Sequence, residues 1–123
     1  MSLQVTRLTK IYGSQKALNE VSFSASQGRI LGFLGPNGAG KSTTMKIITG
    51  YLSADSGEVS ILGEDALAQP KKVSPKIGYL PEHNPLYLDL YVREFLEFSG
   101  GLYGLKSGEI RRRTEELIRK TGL

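Results

Sequence analysis

Hydrophobic and polar positions change their spacing several times along the chain. Residues 3–12 alternate, with a slip between Val5 and Leu8, and this alternation predicts a half-buried strand. A second alternating stretch at residues 18–25 follows the turn sequence Gly13-Ser14 and predicts another strand. We therefore expect antiparallel strands at the N-terminal edge of the fold.

Residues 29–34 differ from these stretches because their apolar side chains are consecutive. Such a run predicts a strand that is covered on both faces. After a glycine-rich loop, the pattern predicts a helix over residues 41–49, which stops before Gly50. Further strands are predicted at residues 58–62 and 76–80, with a connector between them that holds at most one short helix.

The last third of the chain has helical spacing. One helix is predicted from about Val92, with Phe95 and Leu96 on its apolar face, and another from Ser107 to Lys120. Ser107 is predicted to be the N-cap of the last helix. Strands mixed with helices predict an α/β fold.

Composition excludes several kinds of chemistry. The 123 residues contain no cysteine and one histidine, which excludes disulfides, zinc fingers and thiol catalysis and leaves little for a histidine-based site. The formal net charge is +4, and the basic excess lies mainly in Arg111, Arg112 and Arg113 on one predicted helix. A solvated helix face explains such a cluster, so we expect no nucleic-acid partner.

Residues 35–43, GPNGAGKST, carry the most specific signal. They match G-x-x-x-x-G-K-[ST] between a predicted strand and a predicted helix, which is typical of a phosphate-binding loop. Glycines let the backbone wrap closely around a triphosphate, Lys41 adds a positive charge, and the Ser42 hydroxyl suits Mg²⁺. The loop residues predicted to bind the nucleotide are Gly35, Asn37, Gly38, Ala39, Gly40, Lys41, Ser42 and Thr43.

Several short segments surround this loop in one order and spacing. They are Tyr12-Gly13, Ala17-Leu18, Ser56-Gly57-Glu58, the stretch IGYLPE at residues 77–82, and Val92-Arg93-Glu94. With the loop, they resemble the ATP-binding cassette (ABC) domain of ABC transporters over essentially the whole chain. Residues 79–87 look most similar to the ATPases of multidrug-type and gliding-motility ABC exporters. The resemblance implies the N-terminal half of a P-loop ATPase core, with ATP and Mg²⁺ as cofactors.

The resemblance also implies roles for residues outside the loop. Tyr12 would stack on adenine, although its ring could instead pack on the core, and Ala17 would lie beside the sugar or base. Glu82 stands where the family usually has a glutamine that touches Mg²⁺ and the attacking water. It would act with Lys41 in catalysis and with Ser42 on the metal, unless it is a solvated loop residue.

Two segments look like family motifs but are rejected. Ser99-Gly100-Gly101 lies too close to Glu82 to be the ABC signature, and His83 comes too early to be the switch histidine. No apolar run followed by Asp-Glu is present to provide a Walker B strand and a general base. We therefore expect the C-terminal half of the domain to be absent, residues 30–34 to form an exposed apolar edge, and the chain alone to show no turnover.

The expected organisation and partners follow from the same resemblance. Residues 1–88 would form the N-terminal part of the nucleotide-binding core, and residues 89–123 would begin the α-helical subdomain. The parent would be a cytoplasmic ATPase held on the inner face of the membrane by a permease, and paired head-to-tail with a second ATP-binding subunit. Residues 83–105, including Tyr87, Leu88 and Tyr91, would contact the permease or simply cover the helical subdomain.

Two other functions remain open on the sequence alone. One is a soluble ABC ATPase that acts on nucleic acids or in translation. The other is a module that binds nucleotide without turning it over. No apolar run in the sequence is long enough for a transmembrane helix.

Overall fold

The alternating stretches at the start of the chain form the two longest strands. In the computed structural model, which describes residues 2–123, β1 (Leu3–Tyr12) pairs antiparallel with β2 (Gln15–Ala25). The other edge of β1 pairs antiparallel with β3 (Ser56–Ile61), and β3 pairs with the short β4 (Glu64–Asp65). The sheet order is β2-β1-β3-β4, so the predicted antiparallel edge is confirmed.

The slip in the alternation of β1 is a β-bulge. Val5 pairs with Phe23 but Leu8 pairs with Val21, so β1 carries one residue more than its neighbour. Arg7 lies in this bulge and has a left-handed φ of 47°. The bulge returns Leu8 to the inner face of the sheet, where it is fully buried with Val5.

A single helix and a short helical connector cover the buried face of the sheet. Helix α1 (Lys41–Ile48) ends one residue before its predicted end, and Thr49 caps it. The connector, which was predicted to hold at most one short helix, contains α2 (Pro70–Val73) and one 3₁₀ turn (Ser74–Lys76). The buried core consists of Val5, Leu8, Leu18, Ile47, Ile48, Val59, Ile61, Ala66 and Val73.

The predictions of strands at residues 29–34 and 76–80 are wrong. Lys76 ends the 3₁₀ turn, the other residues of both segments are irregular, and no strand of the described residues pairs with either segment. Ile30 and Leu34 are 102% and 94% exposed, while Phe33 contacts Phe23 with ring centroids 5.1 Å apart. A strand needs a hydrogen-bonded neighbour, and these apolar residues lack one. The expected exposure is found at Ile30 and Leu34, but the expected sheet edge is not formed.

The chain divides into two compact units, the first ending at Tyr79 and the second spanning Leu80–Leu123. The second unit holds α3 (Val92–Leu102) and α4 (Ser107–Thr121), which are joined by an ion pair between Arg93 and Glu115. The predicted boundary at residue 88 stays a prediction. No helix among residues 2–123 combines the length and apolar character that crossing a membrane requires.

Local contacts set the ends and the spacing of α3 and α4. The Tyr91 N–H donates to the Glu94 carboxylate at 2.9 Å, which satisfies an amide at the start of α3. The N-cap of α4 is Lys106 and not Ser107, which already has helical geometry, so that prediction is wrong by one residue. A Cβ on Gly100 would lie 3.0 Å from Ile110 Cγ1, so this glycine allows close packing of the two helices.

Candidate functional site

The glycine-rich segment forms a loop that ends at the first turn of α1. The Ala39 N–H donates to the Pro36 carbonyl at 3.2 Å and closes a turn. Gly38 and Gly40 have left-handed φ values of 81° and 86°, which side chains with a Cβ rarely adopt. Gly40 is the N-cap of α1, so the chain passes directly from the loop into the helix.

The junction between loop and helix is packed against β2. A Cβ on Gly40 would lie 2.5 Å from both the Ala17 carbonyl oxygen and Leu18 Cδ2, so only glycine fits there. The buried Thr44 binds the same junction, because its N–H and its hydroxyl both donate to the Gly40 carbonyl, at 2.8 and 2.9 Å. Ala17, predicted to lie beside the sugar or base, is therefore a neighbour of the last loop glycine.

The first turn of α1 presents amides that can bind an anion. Thr44 donates the first helical hydrogen bond, and within residues 2–123 no acceptor is found for the amides of Lys41, Ser42 and Thr43. Unpaired amides and the positive end of the helix dipole attract negative charge. The turn therefore presents unpaired donors of the kind that bind phosphate groups. That these residues bind a nucleotide stays a prediction.

The Lys41 side chain folds back over the loop. Its Nζ donates to the carbonyl oxygens of Gly35 and Pro36 at 2.6 and 2.7 Å. The full positive charge thus stays within the loop, next to the amides of the first turn of α1. The donor set suits a phosphate, and the exposed Ser42 hydroxyl suits Mg²⁺. Among residues 2–123, no cluster of three or more histidine, aspartate or glutamate residues could hold a metal by itself.

Tyr12 lies at the end of β1, at the hairpin turn, and is 49% exposed. The ammonium group of Lys10 lies 5.7 Å from the centroid of its ring. Lys10 is only 8% exposed, and its Nζ is 3.4 Å from Asp55 Oδ1. Asp55 Oδ2 also accepts the Ile11 N–H at 2.7 Å, and this bond, helped by the Lys10 charge, holds the pKa of Asp55 below its ordinary value.

The contact between Lys10 and Asp55 was not predicted from the sequence. A signal was present, because Lys10 shares the inward-facing register of Leu8 two residues earlier in an alternating strand. A lysine at an inward position requires a partner. That partner is 45 positions away in the sequence, so only the fold reveals it.

Glu82 belongs to the second unit. It lies on a bend with an exposed side chain, and the neighbouring His83 is exposed as predicted. The metal and catalytic roles of Glu82 stay predictions. In the same unit, Tyr87 contacts Phe95 and Phe98, with centroids 6.4 and 5.6 Å away.

Comparisons with known proteins match most of the chain. A family model described as ABC transporter matches residues 18–123. The linearmycin resistance ATP-binding protein LnrL of Bacillus subtilis is 40% identical over 121 residues, which cover 98% of this chain and 39% of LnrL. The chain therefore spans about two fifths of the length of this relative.

Solved structures match over nearly the whole chain. An ATP-binding subunit of an ABC transporter matches with a TM-score of 0.84 and 35% identity, covering 97% of this chain and 50% of that chain. The ATP-binding cassette MJ0796, in a dimeric post-hydrolysis state with bound ADP and Pi, matches with a TM-score of 0.81 and 26% identity. That match covers 98% of this chain and 57% of the other chain. The α/β fold is that of the N-terminal half of an ABC ATPase.

Proposed function

The chain belongs to the ABC transporter family, and we propose that it forms the phosphate-binding half-site of a transporter's ATP-binding subunit. The observation that carries the proposal is the first turn of α1, where the amides of Lys41, Ser42 and Thr43 have no acceptor within the described chain. The Lys41 ammonium lies in the same loop. Donors and charge of this kind suit a triphosphate better than any neutral ligand.

The loop residues divide the work of holding the nucleotide. The amides of residues 38–43 bind the phosphate oxygens, which requires the Ala39 N–H to leave the Pro36 carbonyl. Lys41 exchanges its bonds to Gly35 and Pro36 for the β- and γ-phosphates. Thr43 donates its hydroxyl to a phosphate oxygen. When bound, Mg²⁺ would neutralise charge on the β- and γ-phosphates, and the Ser42 hydroxyl would hold it, while a metal role for Glu82 is a separate expectation from the family resemblance. Tyr12 and Ala17 contact the base and the sugar.

The whole protein would hydrolyse ATP and couple the cycle of ATP binding and hydrolysis to transport. Its partners would be a membrane-spanning permease, contacted by residues 83–105, and a second ATP-binding subunit in head-to-tail arrangement. The exposed side chains of Leu88 and Tyr91 support a contact surface in this part of the chain. The permease would hold the protein on the cytoplasmic face of the membrane. The likeness to a linearmycin resistance protein supports the multidrug branch, and the gliding-motility likeness stays a prediction.

Calorimetric titration of Mg-ATP into the chain tests this proposal. We expect saturable binding to the unsubstituted chain and its loss in Lys41→Ala, because that change removes the only full charge in the loop. Lys46→Ala is the matched control, since Lys46 lies in the last turn of α1 with an exposed side chain. Phosphate release, followed on the same samples, should stay at background. Equal ATP binding by all three chains would contradict the assignment of the site.

A further inference from the structure

Tyr12 is the one proposed nucleotide contact that lies outside the loop and has an aromatic ring. We propose that Lys10 and Asp55 are positioning residues, which fix the ring of Tyr12 so that it can stack on a nucleotide base. This inference rests on the proposed function and goes beyond it, because neither residue needs to touch the nucleotide. Asp55 makes three contacts at this end of β1, and Lys10 makes two, one of which joins the two residues to each other.

Asp55 holds the end of β1 on the side where its pairing with β3 has stopped. The last β1–β3 pair is Thr9 with Ser56, so Ile11 and Tyr12 have no partner on β3. Asp55 replaces that pairing. Its backbone N–H donates to the Thr9 carbonyl at 3.0 Å, and its Oδ2 accepts the Ile11 N–H at 2.7 Å. The backbone immediately before Tyr12 is therefore fixed on this side by a single residue.

Lys10 connects the same carboxylate to the ring of Tyr12. Its Nζ lies 3.4 Å from Asp55 Oδ1 and 5.7 Å from the centroid of the ring. The side chain of Lys10 is almost entirely buried, whereas an unpartnered lysine would extend into solvent. A cation at this distance attracts the π-electron face of a tyrosine. The contact therefore restricts the rotation of the ring.

Half of the surface of Tyr12 stays exposed despite this contact. One part of the ring is held by the buried cation, and the exposed part can receive a flat base. Holding the ring in advance lowers the entropy lost when a base stacks on it. The arrangement therefore favours ligands that carry a base, and it leaves the binding of phosphate groups to the loop.

Comparing Mg-ATP with inorganic tripolyphosphate tests this division. Lys10→Met removes the charge and keeps a long apolar side chain, so we expect ATP binding to weaken by about two- to fivefold. Tripolyphosphate binding should not change, because that ligand has no base. Lys71→Met, at an exposed position in α2, is the matched control and should bind both ligands normally. Lys10→Arg keeps the charge and should restore most of the affinity for ATP.

A double-substitution cycle shows whether Lys10 acts through Tyr12. In the Tyr12→Ala background, Lys10→Met should cause no further loss of ATP affinity. An equal loss of ATP and tripolyphosphate binding in Lys10→Met would show a general structural role and overturn the inference. Unchanged ATP affinity would overturn it as well. Failure of the unsubstituted chain to bind either ligand would instead overturn the proposed function, and the inference with it.

Discussion

Strand β1 and residues 30–34 are both rich in apolar side chains, but the chain uses them in opposite ways. In β1, Leu8 is completely buried and the strand has hydrogen-bonded neighbours on both edges. In the second segment, Ile30 and Leu34 are exposed, and no strand of the described residues lies beside them. Apolar character is therefore not sufficient to form a strand.

The difference lies in the supply of backbone partners. The neighbours of β1 are β2, which follows after a two-residue turn, and β3. Burying residues 30–34 as an unpaired segment would leave their amides and carbonyls without hydrogen-bond partners. The free-energy penalty for these buried polar groups would exceed the stabilisation from burying the apolar side chains. Within this segment, Phe33 packs on Phe23 of β2. The loop that follows keeps its shape through other contacts, at Gly40.

Truncating a leucine in each region gives the largest expected contrast. Leu8→Ala should lower the free energy of unfolding by about 2–5 kcal/mol, because it leaves a cavity in the core. Leu34→Ala should change it by no more than about 0.5 kcal/mol, since that side chain is exposed. Urea unfolding of the two variants measures both values. Similar losses in both would mean that residues 30–34 are packed as tightly as β1.

Adding a methyl group to the loop glycines tests what holds the loop in place. In Gly40→Ala, the new Cβ meets β2 and the backbone is strained at φ 86°, so we expect a loss of about 1–3 kcal/mol and weakened ATP binding. Gly38→Ala meets open space and should cost about 1 kcal/mol through its φ alone. Urea unfolding and calorimetry would separate the two. A larger effect at Gly38 would contradict the packing of Gly40 on β2.

Lowering the pH should release the end of β1. The Ile11 N–H and the Lys10 charge hold the pKa of Asp55 below its ordinary value of 3.8. The stabilisation is therefore present above that value and is lost as the pH falls through the lowered pKa. Asp55→Asn should be less stable than the unsubstituted chain near neutral pH, and the difference should shrink well below pH 3.8. A difference that stays constant with pH would show that the charge of Asp55 does not matter.

Sequence patterns predicted local elements well because their causes are local. The alternation at Leu3–Tyr12 predicted β1 and the slip that proved to be its bulge, and the helical spacing after Val92 predicted α3. The loop motif predicted a helix that begins at about Lys41, and α1 begins there. These features depend on residues that are close in sequence, so periodicity and turn chemistry are sufficient.

Features that depend on distant partners were missed or predicted wrongly. The run at residues 30–34 has strand composition, but composition cannot supply a neighbouring strand. The contact of Lys10 with Asp55 joins residues 45 positions apart, and a lysine in a strand is usually solvated. The need for glycine at position 57 is similar, because a Cβ there would lie 2.5 Å from the Arg7 carbonyl on another strand.

Amide hydrogen exchange, with and without Mg-ATP, tests the central claim most directly. Without nucleotide, the amides of β1 should be protected, and those of residues 30–34 should exchange as fast as an unfolded chain. With Mg-ATP, the amides of residues 38–43 should gain protection while residues 30–34 stay unprotected. No added protection at residues 38–43 under saturating Mg-ATP would contradict the assignment of this loop as the phosphate site.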